Sequence, residues 1–212
     1  MQPVDDLTPA PTRKRPKPGE RRVQILQVLA EMLEQRGSER ITTAALAGRL
    51  EVSEAALYRH FASKAQMFEA LIDFIESSVF GLINQISERE SSGRARAARV
   101  VTMVLQFGEK NPGMTRVMVG DALVYEHERL QQRMTLLFDK LEAVLRQCLR
   151  EGAADDAQES ATPDRDVQVR ASVLAAFVAG RLQRFARSGF RRSPTEHLEA
   201  SLEMLVSLSS DS

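Results

Sequence analysis

The chain has 212 residues, 43% of them hydrophobic, and its 29 basic residues balance 29 acidic ones. That is enough apolar material for a core without disulfides or structural metal, and the single cysteine, Cys148, excludes an internal disulfide framework and fits a reducing compartment. No apolar run approaches the ~18 residues of a membrane span and the N-terminus lacks the apolar core of a secretory signal, so a cytoplasmic protein is expected.

The neutral total hides an asymmetry. Residues 11–64 hold eleven Lys and Arg against six Asp and Glu, and the remainder balances them. A basic head that meets phosphate and a body that does not would be distributed this way.

Residues 1–19 are rich in proline, poor in apolar side chains and without periodicity, which predicts a disordered arm. Its Arg13, Lys14, Arg15 and Lys17 could lie along phosphates or enter a minor groove; a solvated, non-specific tail is the alternative. A first helix is expected from Glu20 to Arg36, with Val23, Leu26, Leu29, Ala30 and Leu33 facing inward and Gly37 ending it.

The next stretch organises the chain. Thr43 to Leu50 and Glu54 to Phe61 fit two short helices separated by Glu51, Val52 and Ser53. Thr42 or Thr43 can cap the first and Ser53 the second. This is the layout of a helix-turn-helix, and it makes 20–66 a DNA-binding domain. Ala56, Leu57 and Phe61 are expected inside. Glu54, Ala55, Tyr58, Arg59 and Lys64 are expected to face a major groove, with Arg21, Arg22, Thr42, Thr43, Val52, Ser53 and His60 completing the DNA-binding set. An ordinary helical hairpin is the competing interpretation.

Residues 67–212 read as a helical dimerisation and partner-binding domain. Ser63-Lys64-Ala65-Gln66 is a capping box that starts a long helix to about Glu88, with Phe74 and Phe80 off its apolar stripe. Helices follow over Ala95–Lys110, to about Asp121, and over Ala122–Glu151, and 152–163 reads as an acidic linker. In Asp166–Ser188 the small residues Ala171, Ala175 and Ala179 recur every four positions, beside Leu174, Val178 and Leu182. That pattern suits a close helix–helix dimer interface, and equally an intrachain core helix. Ser193-Pro194-Thr195-Glu196 is a second capping box, for a helix to about Leu208. With no strand-like alternation, the fold class is all-α.

The chemistry of an enzyme is missing. His60, His127 and His197 share no metal-ligand spacing with one another or with Cys148. There is no glycine-rich phosphate loop and no nucleophile elbow. Neither catalysis, a metal nor another cofactor is expected.

Thr43, Leu46, Ala47, Leu50, Val52, Ser53, Leu57, Tyr58, Phe61, Lys64 and Phe68 resemble the pattern of the TetR family of DNA-binding proteins. The resemblance implies an all-helical homodimer with an N-terminal helix-turn-helix head and a C-terminal body. Many such proteins are repressors released by a small molecule, but with no Trp, and Tyr125 as the only tyrosine in the body, a ligand pocket is not favoured here.

The body, through FGEKNPG at 107–113, YEHERLQ at 125–131 and FARSGFRRSPTE at 185–196, resembles the nucleoid occlusion branch of that family. This implies a homodimer on palindromic double-stranded chromosomal sites that, once bound, engages the division protein FtsZ. The positions carried over for FtsZ are Phe74, Met103, Lys110 and Asn111, in a groove between the long helix and the next. Leu82 and Gln106 depart from the branch, which is expected to have a cation and a glycine there.

Overall fold

The computed structural model describes residues 19–35, 41–155 and 163–206. The proline-rich basic arm, Gly37 and most of the acidic linker lie outside them. Nine α-helices and one 3-10 turn occur among the described residues, and no strand.

The head is α1 (Glu20–Glu34), α2 (Thr43–Arg49), α3 (Glu54–Tyr58) and the first turns of α4 (Lys64–Arg89). Ile25, Leu29 and Leu33 of α1 close over Leu46, Ala47, Leu57, Phe61 and Phe68. Val23, expected inside, is 66% exposed, because α1 buries the face carrying Ile25. The cap before α4 forms, with the return bond shifted one residue, to Ala62 instead of Ser63. Ser63 Oγ accepts from Gln66 N at 3.2 Å, and Gln66 Oε1 accepts from Ala62 N at 2.9 Å.

The body is α5 (Gly93–Lys110), α6 (Pro112–Met118), the 3-10 turn (Asp121–Leu123), α7 (Glu128–Asp155), α8 (Pro163–Arg187) and α9 (Leu198–Val206). α7 packs most extensively on α8 and α5. Glycines allow the closest approaches: a Cβ at Gly93 would overlap the backbone of Cys148 and Gly152 in α7, and one at Gly108 would overlap Leu182 of α8. Head and body share one continuous core.

Four expectations are corrected. The helix expected over Ala122–Glu151 is broken: Gly120 adopts a left-handed φ of 83°, the 3-10 turn sinks Leu123 into the core, and α7 starts only at Glu128. α3 stops at Tyr58 rather than Phe61, because the amides of His60 and Phe61 both turn back onto the Leu57 carbonyl, dropping the Phe61 ring into the core.

The second capping box does not cap. Ser193 and Thr195 donate to the carboxylate of Glu109 in α5, Glu196 pairs with Arg184 at 3.2 Å, and α9 begins at Leu198. Ser193 Oγ keeps a local bond, accepting from Thr195 N at 3.1 Å, while the Glu196 carboxylate goes to a tertiary partner.

The expected dimer residues are also displaced. Ala171, Leu174, Ala175, Val178 and Leu182 are buried within the single chain and Ala179 is half-buried. Their small side chains bring α8 close to α5 and α7 of its own subunit. The outward stripe of α8 is instead Val169, Val173, Ala176 and Gly180.

Candidate nucleic-acid interface

The recognition face is assembled by the corner between α2 and α3. Glu51 takes a positive φ of 53°, letting the chain double back within Leu50–Ser53. Val52 N then bonds to the Ala47 carbonyl at 3.0 Å, and the Val52 side chain packs against the core. Val52 therefore holds the corner from inside instead of facing a groove. Thr42 and Ser53 cap α2 and α3, accepting from Ala45 N at 3.1 Å and Ala56 N at 3.3 Å.

The outer surface carries a small polar network. Thr43 Oγ1 donates to Glu54 Oε2 at 2.6 Å, and the Tyr58 hydroxyl donates to Thr43 Oγ1 at 3.5 Å. Tyr58 is still 45% exposed, and Ala55 and Arg59 stand exposed beside it. A short helix with a small residue between polar groups, an aromatic hydroxyl and a cation on one face has the dimensions to enter a major groove.

The flanking cations divide. Arg21 bonds Gln24 at 2.8 Å at the start of α1. Arg22, itself exposed, folds back on the head: it donates to the His60 carbonyl and lies over the Phe61 ring, 4.1 Å from its centre. This fixes His60 and the end of α3, a bracing role the sequence does not reveal. Lys64 is engaged as well, with Glu126 of the body, and its side chain is 22% exposed.

Beside Phe74 a groove runs between α4, α1 and the start of α6, and not between α4 and α5, where the sequence placed it. It has a volume of about 400 Å³ and is lined by Phe74 and Leu71 of α4, by Asn111 and Met114, and by Val23, Leu26 and Ala30 among others of α1. Phe74 is 50% exposed within it. Met103 is half-buried against the core, and Lys110 stands exposed next to Asn111; neither lines this groove. The α1 wall escaped the sequence analysis; its signal was Val23 and Leu26 on the flank away from Ile25.

Asp73 and Glu76 flank Phe74 and are gripped by Arg133 of α7 at 2.8 and 2.6 Å. Burial works against the Arg133 charge, but the two carboxylates outweigh it and raise its pKa further. The ring is therefore presented by a stapled stretch of α4.

The FGEKNPG motif is the corner beside this groove. Gly108 admits Leu182, Glu109 holds Ser193 and Thr195, and the Asn111 amide donates to the Phe107 carbonyl at 2.7 Å. Pro112 opens α6, and Gly113 lies flush against the Ala30 carbonyl of α1.

A separate open cleft of about 550 Å³ lies between α6, α7 and α8, lined by Gly120, Asp121, Val124, Met134, Phe138 and Gln183 among others. No group of His, Cys, Asp and Glu suited to a metal ion occurs among the described residues, and no helix there is long and apolar enough to cross a membrane. Burial pushes the Cys148 thiol upward, away from reactivity at neutral pH.

Residues 25–71 match the family of bacterial regulatory proteins of the TetR type, and residues 93–208 match an SlmA-like, tetracyclin repressor-like C-terminal domain. Among curated relatives, the nucleoid occlusion factor SlmA of Cronobacter sakazakii is 50% identical over 187 residues, covering 88% of this chain and 93% of the relative. SlmA of Idiomarina loihiensis is 47% identical over 185 residues, covering 87% and 93%. The fold is shared with solved TetR regulators. One from Haloarcula marismortui superposes with a TM-score of 0.71 at 13% identity over 89% of this chain and 97% of that one. FadR from Bacillus subtilis gives 0.69 at 15% identity over 89% and 99%.

Proposed function

The chain belongs to the SlmA family of nucleoid occlusion factors, DNA-binding regulators of the TetR type and not enzymes, and from that premise we propose that it is itself a nucleoid occlusion factor. In this reading, two subunits grip a pseudo-palindromic chromosomal site with one α3 per half-site, and the DNA-bound dimer engages FtsZ and opposes division-ring assembly over the nucleoid. The observation that carries it is the near-half identity to SlmA proteins over almost nine-tenths of the chain. Exposed Tyr58 and Arg59, with half-buried Thr43 beside Tyr58, support it at the head.

Residues 20–66 act as the reading head and 67–212 as the body, with 1–19 as an accessory basic arm. The subunits meet along the outward stripe of α8 (Val169, Val173, Ala176, Gly180) and on α9, where Met204 is 72% exposed. Gly180 has open space where a side chain would stand, which suits a close second helix. FtsZ docks at the groove beside Phe74 and Asn111, with Lys110 exposed next to Asn111. In the cell the protein is cytoplasmic and resides on the nucleoid.

The test begins by selecting bound duplex from random sequence. Purified FtsZ is then assembled with the protein, with and without the winning duplex, and followed by light scattering and sedimentation. Loss of polymer that depends on the duplex is expected. Polymer unaffected by the DNA-bound protein overturns the proposal.

The cleft between α6, α7 and α8 favours a second reading, a transcriptional repressor released by a small molecule. A metabolite that lowers affinity for the selected duplex would support it.

A further inference from the structure

Lys64 stands where the reading head becomes the body. It opens α4, directly after the cap at Ser63, and its ammonium lies 5.6 Å from the Phe68 ring. Its ion partner is Glu126, in the short segment between the 3-10 turn and α7. The Glu126 side chain is only 11% exposed. Sequence separation alone would not pair residues 62 positions apart; the break before α7 brings them together.

The following rests on the reading above, in which the head grips duplex DNA, and it takes Lys64 to meet a backbone phosphate there. We propose that Glu126 is an internal stand-in for a DNA phosphate: it holds Lys64 in the free protein and gives it up when duplex binds. Both partners are oxygen anions competing for one ammonium, so binding is an exchange of partners.

Two consequences follow. The first is in the salt dependence. A cation that neutralises a phosphate releases condensed counterions and adds about 0.9 to the slope of log affinity against log salt. Lys64 arrives already neutralised by Glu126, and the freed carboxylate remains close by. The pair together therefore adds almost nothing to that slope. Removing the Glu126 charge exposes the full contribution of Lys64.

The second consequence is mechanical. A carboxylate so little exposed is strongly disfavoured once its partner leaves. Glu126 must reach water, and the segment from Gly120 to His127 must shift around its buried anchor Leu123 to let it. That segment carries Val124 and Tyr125, 59% and 65% exposed, and through Gly120, Asp121 and Val124 it forms one wall of the cleft between α6, α7 and α8. DNA at the head thus changes the shape of the body through a single exchange of ion partners, which supplies the two-state element that coupling between distant sites requires.

The experiment measures affinity for the selected duplex by fluorescence anisotropy across a salt series, for the parent protein, Glu126→Gln and Lys64→Ala. Amide exchange of residues 120–127 is followed with and without saturating duplex. Glu126→Gln is expected to bind about five- to tenfold more tightly at low salt, with a slope steeper by about one ion. In the parent, exchange of 120–127 should rise when duplex binds; in Glu126→Gln it should be fast in both states. Glu126→Gln that melts like the parent but matches its affinity and slope overturns the proposal. So does parent protein whose 120–127 exchange ignores saturating duplex, a readout that needs no variant. Lys64→Ala that binds as tightly as the parent instead overturns the placement of Lys64 on the backbone, whatever Glu126→Gln does.

Discussion

Two of the joints between head and body are built on opposite principles. At the first, α1 lies against α6 so closely that Gly113 has no room for a methyl group beside the Ala30 carbonyl, and Arg116 donates to the Leu33 carbonyl at 3.1 Å. At the second, one ion pair, Lys64 with Glu126, closes the gap between the start of α4 and the segment before α7. Close packing has no intermediate setting, since atoms in van der Waals contact either stay or leave together. An ion pair can be exchanged for another partner at modest cost. The first joint therefore sets where the head sits, and the second is the one that a ligand of matching charge can open.

Breaking the tight joint should have the largest effect. Gly113→Ala forces a Cβ into the Ala30 carbonyl, and a loss of about 3 kcal/mol in urea unfolding is expected, with DNA affinity falling alongside. Unchanged stability would mean that α1 can drift from α6 freely.

Neither joint runs through the outer face of α8. Val173 is 44% exposed there, so Val173→Glu should leave helical content intact while converting dimer to monomer in sedimentation, by burying unpaired charge at the seam. Persistence of the dimer would move the seam elsewhere.

Phe74 borders the tight joint without belonging to its core. Phe74→Ala should spare duplex affinity and weaken FtsZ binding about thirtyfold in a pull-down titration, the scale of an aromatic anchor. Equal loss of both would make the ring part of the joint.

Beyond both joints, with the Tyr58 hydroxyl placed against a phosphate, Tyr58→Ala should weaken duplex binding about fivefold and to similar degree for matched and mismatched sites, because a backbone contact carries no base information. A change confined to one base position would make Tyr58 a reader of sequence.

The smallest effect lies farthest from the head. The Gln147 amide and Arg96 hold the Glu151 carboxyl below its usual range. A lowered folded-state pKa stabilises above the unfolded value and is lost as pH falls through the folded one. Glu151→Gln should thus lower the urea midpoint slightly at pH 7 and by less at pH 3. An equal shift at both would assign the loss to packing.

The helix-turn-helix, the capped start of α4 and the family were readable directly, because local spacing and capping residues carry them. FGEKNPG was recognisable as a motif, but its work as a hinge block, with Gly113 on Ala30 and Glu109 on Ser193 and Thr195, was not. The same holds for Arg22, whose charge suggested phosphate and whose guanidinium braces Phe61.

The sequence by itself determined that this chain is helical, where its reading helix lies and which relatives it has, since periodicity and end signals are properties of neighbouring residues. Only the tertiary structure decided which face of α8 is core, why α9 starts at Leu198 beyond the Ser193 box, and that Lys64 is held by Glu126. Those outcomes turn on competition between local and distant partners. A hydroxyl, a carboxylate or an ammonium settles that competition by what the fold brings within reach.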